Sequence, residues 1–419
     1  AEHWYNYREL ADLLVPYLKE NHYHYVEMMP LAEHPSDESW GYQISGFFSP
    51  TSRYGTPDDL KYLVNKCHNA GIGVIMDFVP VHFAVDDYAL WNFDGTALYE
   101  YPHGDVGKSE WGSCNFMHSR GEVRCFLQSA ANYWLEEFHF DGLRMDAISN
   151  LIYWQGNPAR GENKDAVQFL QNLNSGLKAR FPSALLIAED STARPNITTP
   201  VWSGGLGFDY KWSGGWTKDL LEYLSKDPIE RKNYHDQLTM SMLYAYCEHY
   251  ILTLGSRDVG TLKDFADKLP GSEEQKNAQI REAYVYMMLH PGCKMMAPDK
   301  DMPKELEVFV KDLNNMYLAH PALYQLDDEY DGFEWVQLMK YEENVIAFMR
   351  KTEKPEETIL AVCNFAAIPY ENYNVGVPFA GKYKEIFNSD DKKYGGNGVV
   401  NTRVKAAKKA ECDEREYSI

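Results

Sequence analysis

The sequence predicts an α/β protein: a (β/α)8 barrel of the TIM type, followed by a small antiparallel β-domain. Three observations carry this. Amphipathic stripes of helical length alternate with short apolar runs, the pattern of a parallel sheet covered by helices. Most of those runs end in a carboxylate or another polar residue, and a closed barrel gathers such ends at one mouth. After about residue 330 no helical period persists, and short apolar runs alternate with charged turns. A doubly wound open sheet is the alternative, but no glycine-rich phosphate loop follows any run.

Taken in order, Leu10, Leu13, Leu14, Tyr17 and Leu18 form the first stripe, ahead of the run Tyr25-Val26-Glu27-Met28-Met29. Thr56-Pro57-Asp58-Asp59 then opens a second helix. Thr56 is a capping residue, Pro57 suits the first helical position, and the acids sit at the positive end of the helix dipole. Leu60, Leu63, Val64 and Cys67 supply its buried stripe, and Gly71 stops it. Val74-Ile75-Met76 follows and ends in Asp77-Phe78-Val79-Pro80. Leu127, Ala130, Ala131, Trp134, Leu135 and Phe138 precede the strand Asp141-Gly142-Leu143-Arg144-Met145-Asp146. Phe169, Leu170, Leu173 and Leu177, ended by Pro182, precede Leu185-Leu186-Ile187-Ala188-Glu189. The β-domain rests on Gly332–Val336, Val345–Met349 and Ile359–Cys363. The expected domains are therefore 1–330 and 331–419.

Composition narrows the partners. The 41 Lys+Arg against 62 Asp+Glu give a formal charge of −21, a field that repels phosphate backbones and anionic lipid heads. Nucleic acid and membrane surfaces are thus excluded as expected partners, and no apolar run approaches the roughly 20 residues of a membrane span. The start, Ala1-Glu2-His3-Trp4, lacks the basic and apolar regions of a signal peptide. Seven cysteines, with no C-x-x-C spacing, argue against a disulfide framework or a zinc site. A reducing cytoplasm is the expected location, and no metal is expected. Aromatics make up 14% of the chain, which suits a sugar-binding surface as well as an aromatic-packed barrel.

Three strand ends carry candidate chemistry. Asp77 is followed five residues on by His82. Arg144 and Asp146 share one face of a strand, because side chains alternate with period two, and the arginine would hold the acid ionised. Glu189 closes another buried strand, where desolvation would keep a proton on it. Each alone reads equally well as a structural ion pair or a strand-terminal acid. Together, an ionised carboxylate facing a protonated one is the pair used by retaining glycosidases, about 5–5.5 Å apart.

The motifs Trp40-Gly-Tyr42-Gln, Asp77-Phe-Val-Pro-Val-His82, Asp141-Gly-Leu-Arg144-Met-Asp146-Ala and Ile187-Ala-Glu189-Asp-Ser resemble the α-amylase superfamily. More narrowly, they resemble bacterial 1,4-α-glucan (glycogen) branching enzymes. Pro50-Thr-Ser-Arg-Tyr-Gly55-Thr-Pro, Gly204-Gly-Leu-Gly-Phe-Asp209-Tyr-Lys-Trp and Asn388-Ser-Asp are similar to the same family, so the likeness covers nearly the whole chain. The resemblance implies a glycosyltransferase of glycogen biosynthesis that acts on α-1,4-glucans such as glycogen, amylose and maltooligosaccharides. No cofactor is implied. Asp146 matches the nucleophile, Glu189 the acid/base and Arg144 the arginine beside the nucleophile. Trp40 belongs to the substrate-binding set; Tyr42 matches the ring under the reacting sugar, and Asp77 and His82 match the residues that frame it.

The chain also departs from that pattern. The family has a third acid in a Ser-His-Asp-Glu-Val stretch after the seventh strand. Here Tyr250–Leu254 runs into Gly255-Ser256-Arg257-Asp258-Val259. Without a gap Arg257 takes the acid's place; with a one-residue shift Asp258 does, and Asp258 is the candidate third acid. A cation there would oppose the charge of an oxocarbenium-like transition state, at a cost of roughly 10³-fold in rate. The loops after Met296 and up to Gly161-Glu162-Asn163 are shorter than the family's. The family's first barrel strand and upstream β-sandwich carbohydrate module are expected from a longer parent chain or a partner. Two readings of function follow: an active branching-type transferase, or a decayed pseudoenzyme that only binds glucan or a partner. A simple amylase-type glycoside hydrolase is a weaker third.

Overall fold

The computed structural model describes residues 4–254, 261–297 and 302–419. The chain divides into two compact units, one up to Trp212 and one from Ser213.

In the first unit five parallel strands lie side by side in chain order: Tyr25–Met28, Gly73–Phe78, Gly142–Met145, Leu185–Ala188 and Tyr210–Trp212. Their register aligns Asp77 with Arg144, Met145 with Ala188, and Ala188 with Lys211. The residues that follow these positions therefore emerge at one end of the sheet. Gly142 is required where its strand meets the next, since a Cβ would lie 2.5 Å from the Leu185 carbonyl oxygen.

Helices connect the strands as the stripes predict. Pro57–Asn69 begins at Thr56, which caps the Asp59 N–H while the Asp59 side chain accepts from the Thr56 N–H. Leu60, Leu63, Val64 and Cys67 are all buried, and Gly71 follows the helix in the left-handed region at φ +77°. Gly121–Glu137 and Lys164–Arg180 bury Trp134, Leu135, Leu170 and Leu173 in the same core. Asp141 lies at the opposite end of its strand from Asp146. It accepts from the Val74 N–H (2.7 Å) and pairs with His68 (2.8 Å), so it serves strand pairing.

The second unit holds a parallel pair, Tyr250–Leu254 with Cys293–Met296. Helices Gly214–Ser225, Glu273–Leu289 and Lys304–Ala319 pack with it. Its antiparallel sheet runs Phe333–Gln337, Val345–Arg350, Ile359–Asn364, close to the three runs expected from sequence. Two short pairs complete it, Gly376–Val377 with Tyr417–Ser418 and Lys382–Tyr383 with Lys405–Ala406. The described residues thus contain seven parallel strands where a complete (β/α)8 barrel has eight. No described helix is long and apolar enough to cross a membrane.

Candidate active site

The site is built around one side chain. Arg144, on a strand whose four residues are all buried, has 0% of its side chain exposed. Its Nη1 donates to Asp77 Oδ1 (2.7 Å) and Oδ2 (2.5 Å) and lies 2.8 Å from Asp146 Oδ1. Nη2 faces Glu189 Oε2 at 3.9 Å, and the guanidinium carbon sits 4.1 Å over the Trp212 ring. Tyr42 Oη donates to Asp77 Oδ2 at 2.6 Å. Five sequence-predicted residues, Tyr42, Asp77, Arg144, Asp146 and Glu189, therefore share one cluster.

The local backbone aims the two acids. Asp146 N–H donates to the Phe78 carbonyl and Glu189 N–H to the Met145 carbonyl, which extends the parallel ladder by one residue at each strand end. Ala147 adopts φ +48°, a conformation that costs a non-glycine residue about 1–3 kcal/mol. That turn points its N–H at Glu189 Oε2, 2.8 Å away. Both acids therefore border a single guanidinium, Asp146 at 2.8 Å from one nitrogen and Glu189 at 3.9 Å from the other. Asp146 is buried, whereas Glu189 keeps 18% of its side chain exposed.

Burial acts on every ionisable group here. It would strip the proton from Arg144, but the Asp77 and Asp146 charges more than offset this and hold the guanidinium charged. Burial pushes the Asp77 carboxyl up against the pull of Arg144, and the Asp146 charge adds to the rise. It also raises the Tyr42 phenol, reinforced by the Asp77 charge, so Tyr42 remains a donor. His82 is pushed down to about 4 by burial and is neutral at pH 7, with its ring 5.1 Å from that of Trp111. Three carboxyl groups around one cation leave the pocket suited to a developing positive charge. No group of three or more His, Cys, Asp or Glu side chains among the described residues is placed to hold a metal.

Two predicted residues stand differently. Trp40 caps a short turn at φ +53° and is 68% exposed, outside the buried network. Asp258, with Arg257, lies outside the described residues. Sequence reading missed Trp212 and Lys211. The Tyr-Lys-Trp run after Asp209 is legible only as family wording, since nothing local says which strand it joins.

The "Alpha amylase, catalytic domain" family matches residues 13–94, and the "Alpha amylase, C-terminal all-beta domain" family matches residues 335–419. Among solved structures, an α-amylase from Geobacillus thermoleovorans complexed with acarbose is similar with a TM-score of 0.72. It is 17% identical, and the match covers 99% of this chain and 89% of that one. Fold and site together define an α-amylase-type barrel protein with a C-terminal all-β domain. The 1,4-α-glucan branching enzyme GlgB of Geobacillus stearothermophilus is 42% identical over 439 residues, 99% of this chain and 69% of that protein. The enzyme of the same name from Fusobacterium nucleatum subsp. nucleatum is 43% identical over 440 residues, 99% and 71%. The chain belongs to the 1,4-α-glucan branching enzyme family.

Proposed function

We propose that this chain cleaves α-1,4 linkages of a glucan and rebuilds them as α-1,6 branches by a retaining double displacement. The observation that carries the reading is the buried Arg144 guanidinium bordered by Asp146 on one nitrogen and Glu189 on the other. Asp146, paired with Arg144, attacks the anomeric carbon as the bond to the glycosidic oxygen breaks. Glu189 gives its proton to that oxygen, and the departing chain leaves with a free 4-hydroxyl. A glycosyl ester then joins the sugar to Asp146. In the second step the Glu189 carboxylate takes the proton of an incoming 6-hydroxyl, whose oxygen displaces Asp146. Two inversions give net retention, and both steps balance with no reactant beyond the two glucan chains.

Tyr42 lies under the reacting sugar, held by Asp77, and His82 frames the same ring as a neutral donor or acceptor. Trp40 offers an exposed face for a neighbouring glucose. Asp258 in the shifted register is the third acid. Residues 1–330 form the functional barrel and 331–419 the β-domain, a division supported by the three-stranded antiparallel sheet that starts at Phe333. A cytoplasmic location is part of the same reading, supported by seven cysteines that form no disulfide among the described residues. The alternative of a decayed glucan-binding module draws no support from relatives that carry the enzyme's name.

Amylose stained with iodine tests this. Wild-type protein should shift the absorbance without releasing reducing sugar, and Glu189→Gln should slow the shift by about 10²–10⁴-fold. Release of reducing sugar would indicate a hydrolase. Glucan binding with no change in stain would return the decayed-site reading.

A further inference from the structure

The strand Tyr210–Trp212 contributes two side chains that reach toward the acids. Lys211 is 7% exposed, and its ammonium donates to Asp190 Oδ2 (2.8 Å) and to the Thr192 carbonyl (3.0 Å). Asp190, with a side chain 0% exposed, also accepts from the Thr192 N–H (3.0 Å) and hydroxyl (2.8 Å). Asp190 directly follows Glu189. On the other side, Glu189 is tied by its own N–H to the Met145 carbonyl, and its carbonyl accepts from the Ile148 N–H. The backbone that carries Glu189 is thus gripped between two strands, one grip made of main-chain bonds and the other of a buried ion pair. A dry pair of this kind is rarely worth net stability over apolar replacements, so its value lies in the geometry it imposes.

The next residue acts on the other acid. The Arg144 guanidinium carbon sits 4.1 Å over the Trp212 ring, while Asp77 and Asp146 contact its Nη1. A desolvated guanidinium held between an aromatic ring and two carboxylates has little freedom to turn, and its placement decides where Asp146 sits.

We propose that Lys211 and Trp212 are positioning residues for the two reacting carboxylates, Lys211 acting on Glu189 through Asp190 and Trp212 acting on Asp146 through Arg144. The inference rests on the branching reading for its kinetic consequence but not for its geometry.

The test pairs kinetics with crystal structures. Lys211→Met alone leaves a buried aspartate unpaired and risks misfolding, so the double variant Lys211→Met/Asp190→Asn removes both charges. Its kcat on amylose should fall on the order of 10²-fold with KM nearly unchanged, the mark of lost alignment rather than lost binding. Lys211→Arg should retain most of the rate. Trp212→Leu should lower kcat in the same way, and Trp212→Phe, which keeps a ring face, should restore much of it. In the crystal structures, the double variant should release Glu189 from the Ala147 N–H, and Trp212→Leu should part Arg144 from Asp146. Carboxylates that stay in place in folded variants overturn the proposal, whatever the rates. A wild type that does not branch amylose would refute the reaction assigned above, and the structures would still decide the positioning.

Discussion

Replacing Arg144 with methionine removes a buried cation that borders three carboxyl groups while keeping a side chain of similar length. Asp77 and Asp146 would lose contacts of 2.5–2.8 Å, and Glu189 its neighbour at 3.9 Å, in a place from which Arg144 itself sees no solvent. Removing one partner of a buried ion pair costs about 3–5 kcal/mol, because the remaining charge has no water to return to. Against a total stability of about 5–15 kcal/mol that is a large fraction. The loss should depend on pH. Burial already holds the folded-state pKa of Asp77 above its unfolded value, and without the pull of Arg144 it rises further, so the folded variant prefers Asp77 protonated. The stability recovered by protonation is complete below the unfolded carboxyl pKa and disappears as pH rises through the raised folded value. Asp77 should recover about 1.4 kcal/mol per pH unit within that window. Urea unfolding of wild type and variant at pH 8 and pH 5 measures this. The difference should be about 3–5 kcal/mol at pH 8 and distinctly smaller at pH 5. A difference below about 1 kcal/mol at pH 8, or one that does not change with pH, would refute the view that Arg144 neutralises this cluster.

Three further outcomes are expected. Tyr42→Phe keeps the ring but removes the 2.6 Å bond to Asp77, and should lower stability by about 1.5–3 kcal/mol in urea unfolding, as for bonds to charged groups. His82, held down to about 4, should stay neutral in an NMR titration until well below pH 6. Because burial lowers its folded pKa, the stability it lends is full above the unfolded value near 6.5 and is lost as pH falls toward 4. The stability gap between wild type and His82→Gln should therefore narrow on acidification. In the iodine assay, Asp258→Ala should cost roughly 10²–10³-fold in kcat if Asp258 supports the transition state. A gain of activity from Arg257→Asp would instead place Arg257 in that position.

Local chemistry was enough for the elements. The Thr56 cap, Pro57 at the first helical position and the Leu60–Cys67 stripe all act within a few residues, and the helix Pro57–Asn69 forms as they predict. The three apolar runs after residue 330 became strands for the same reason. The candidate acids were legible because a strand end is a local feature and alternation places Arg144 and Asp146 on one face. Their company was not. Tyr42 meets Asp77 across 35 residues and Arg144 meets Asp77 across 67, contacts that only the side-by-side order of the strands creates. Lys211 and Trp212 reach Asp190 and Arg144 because their strand joins the sheet beside Leu185–Ala188, a pairing that no periodicity encodes. Ala147 takes a left-handed conformation that its own side chain disfavours, because the packed ends of two strands hold it there. Sequence determined which residues could do the chemistry; the parallel register decided which of them share one buried guanidinium, since charge in a dry interior is tolerated only where distant strands bring its partners together.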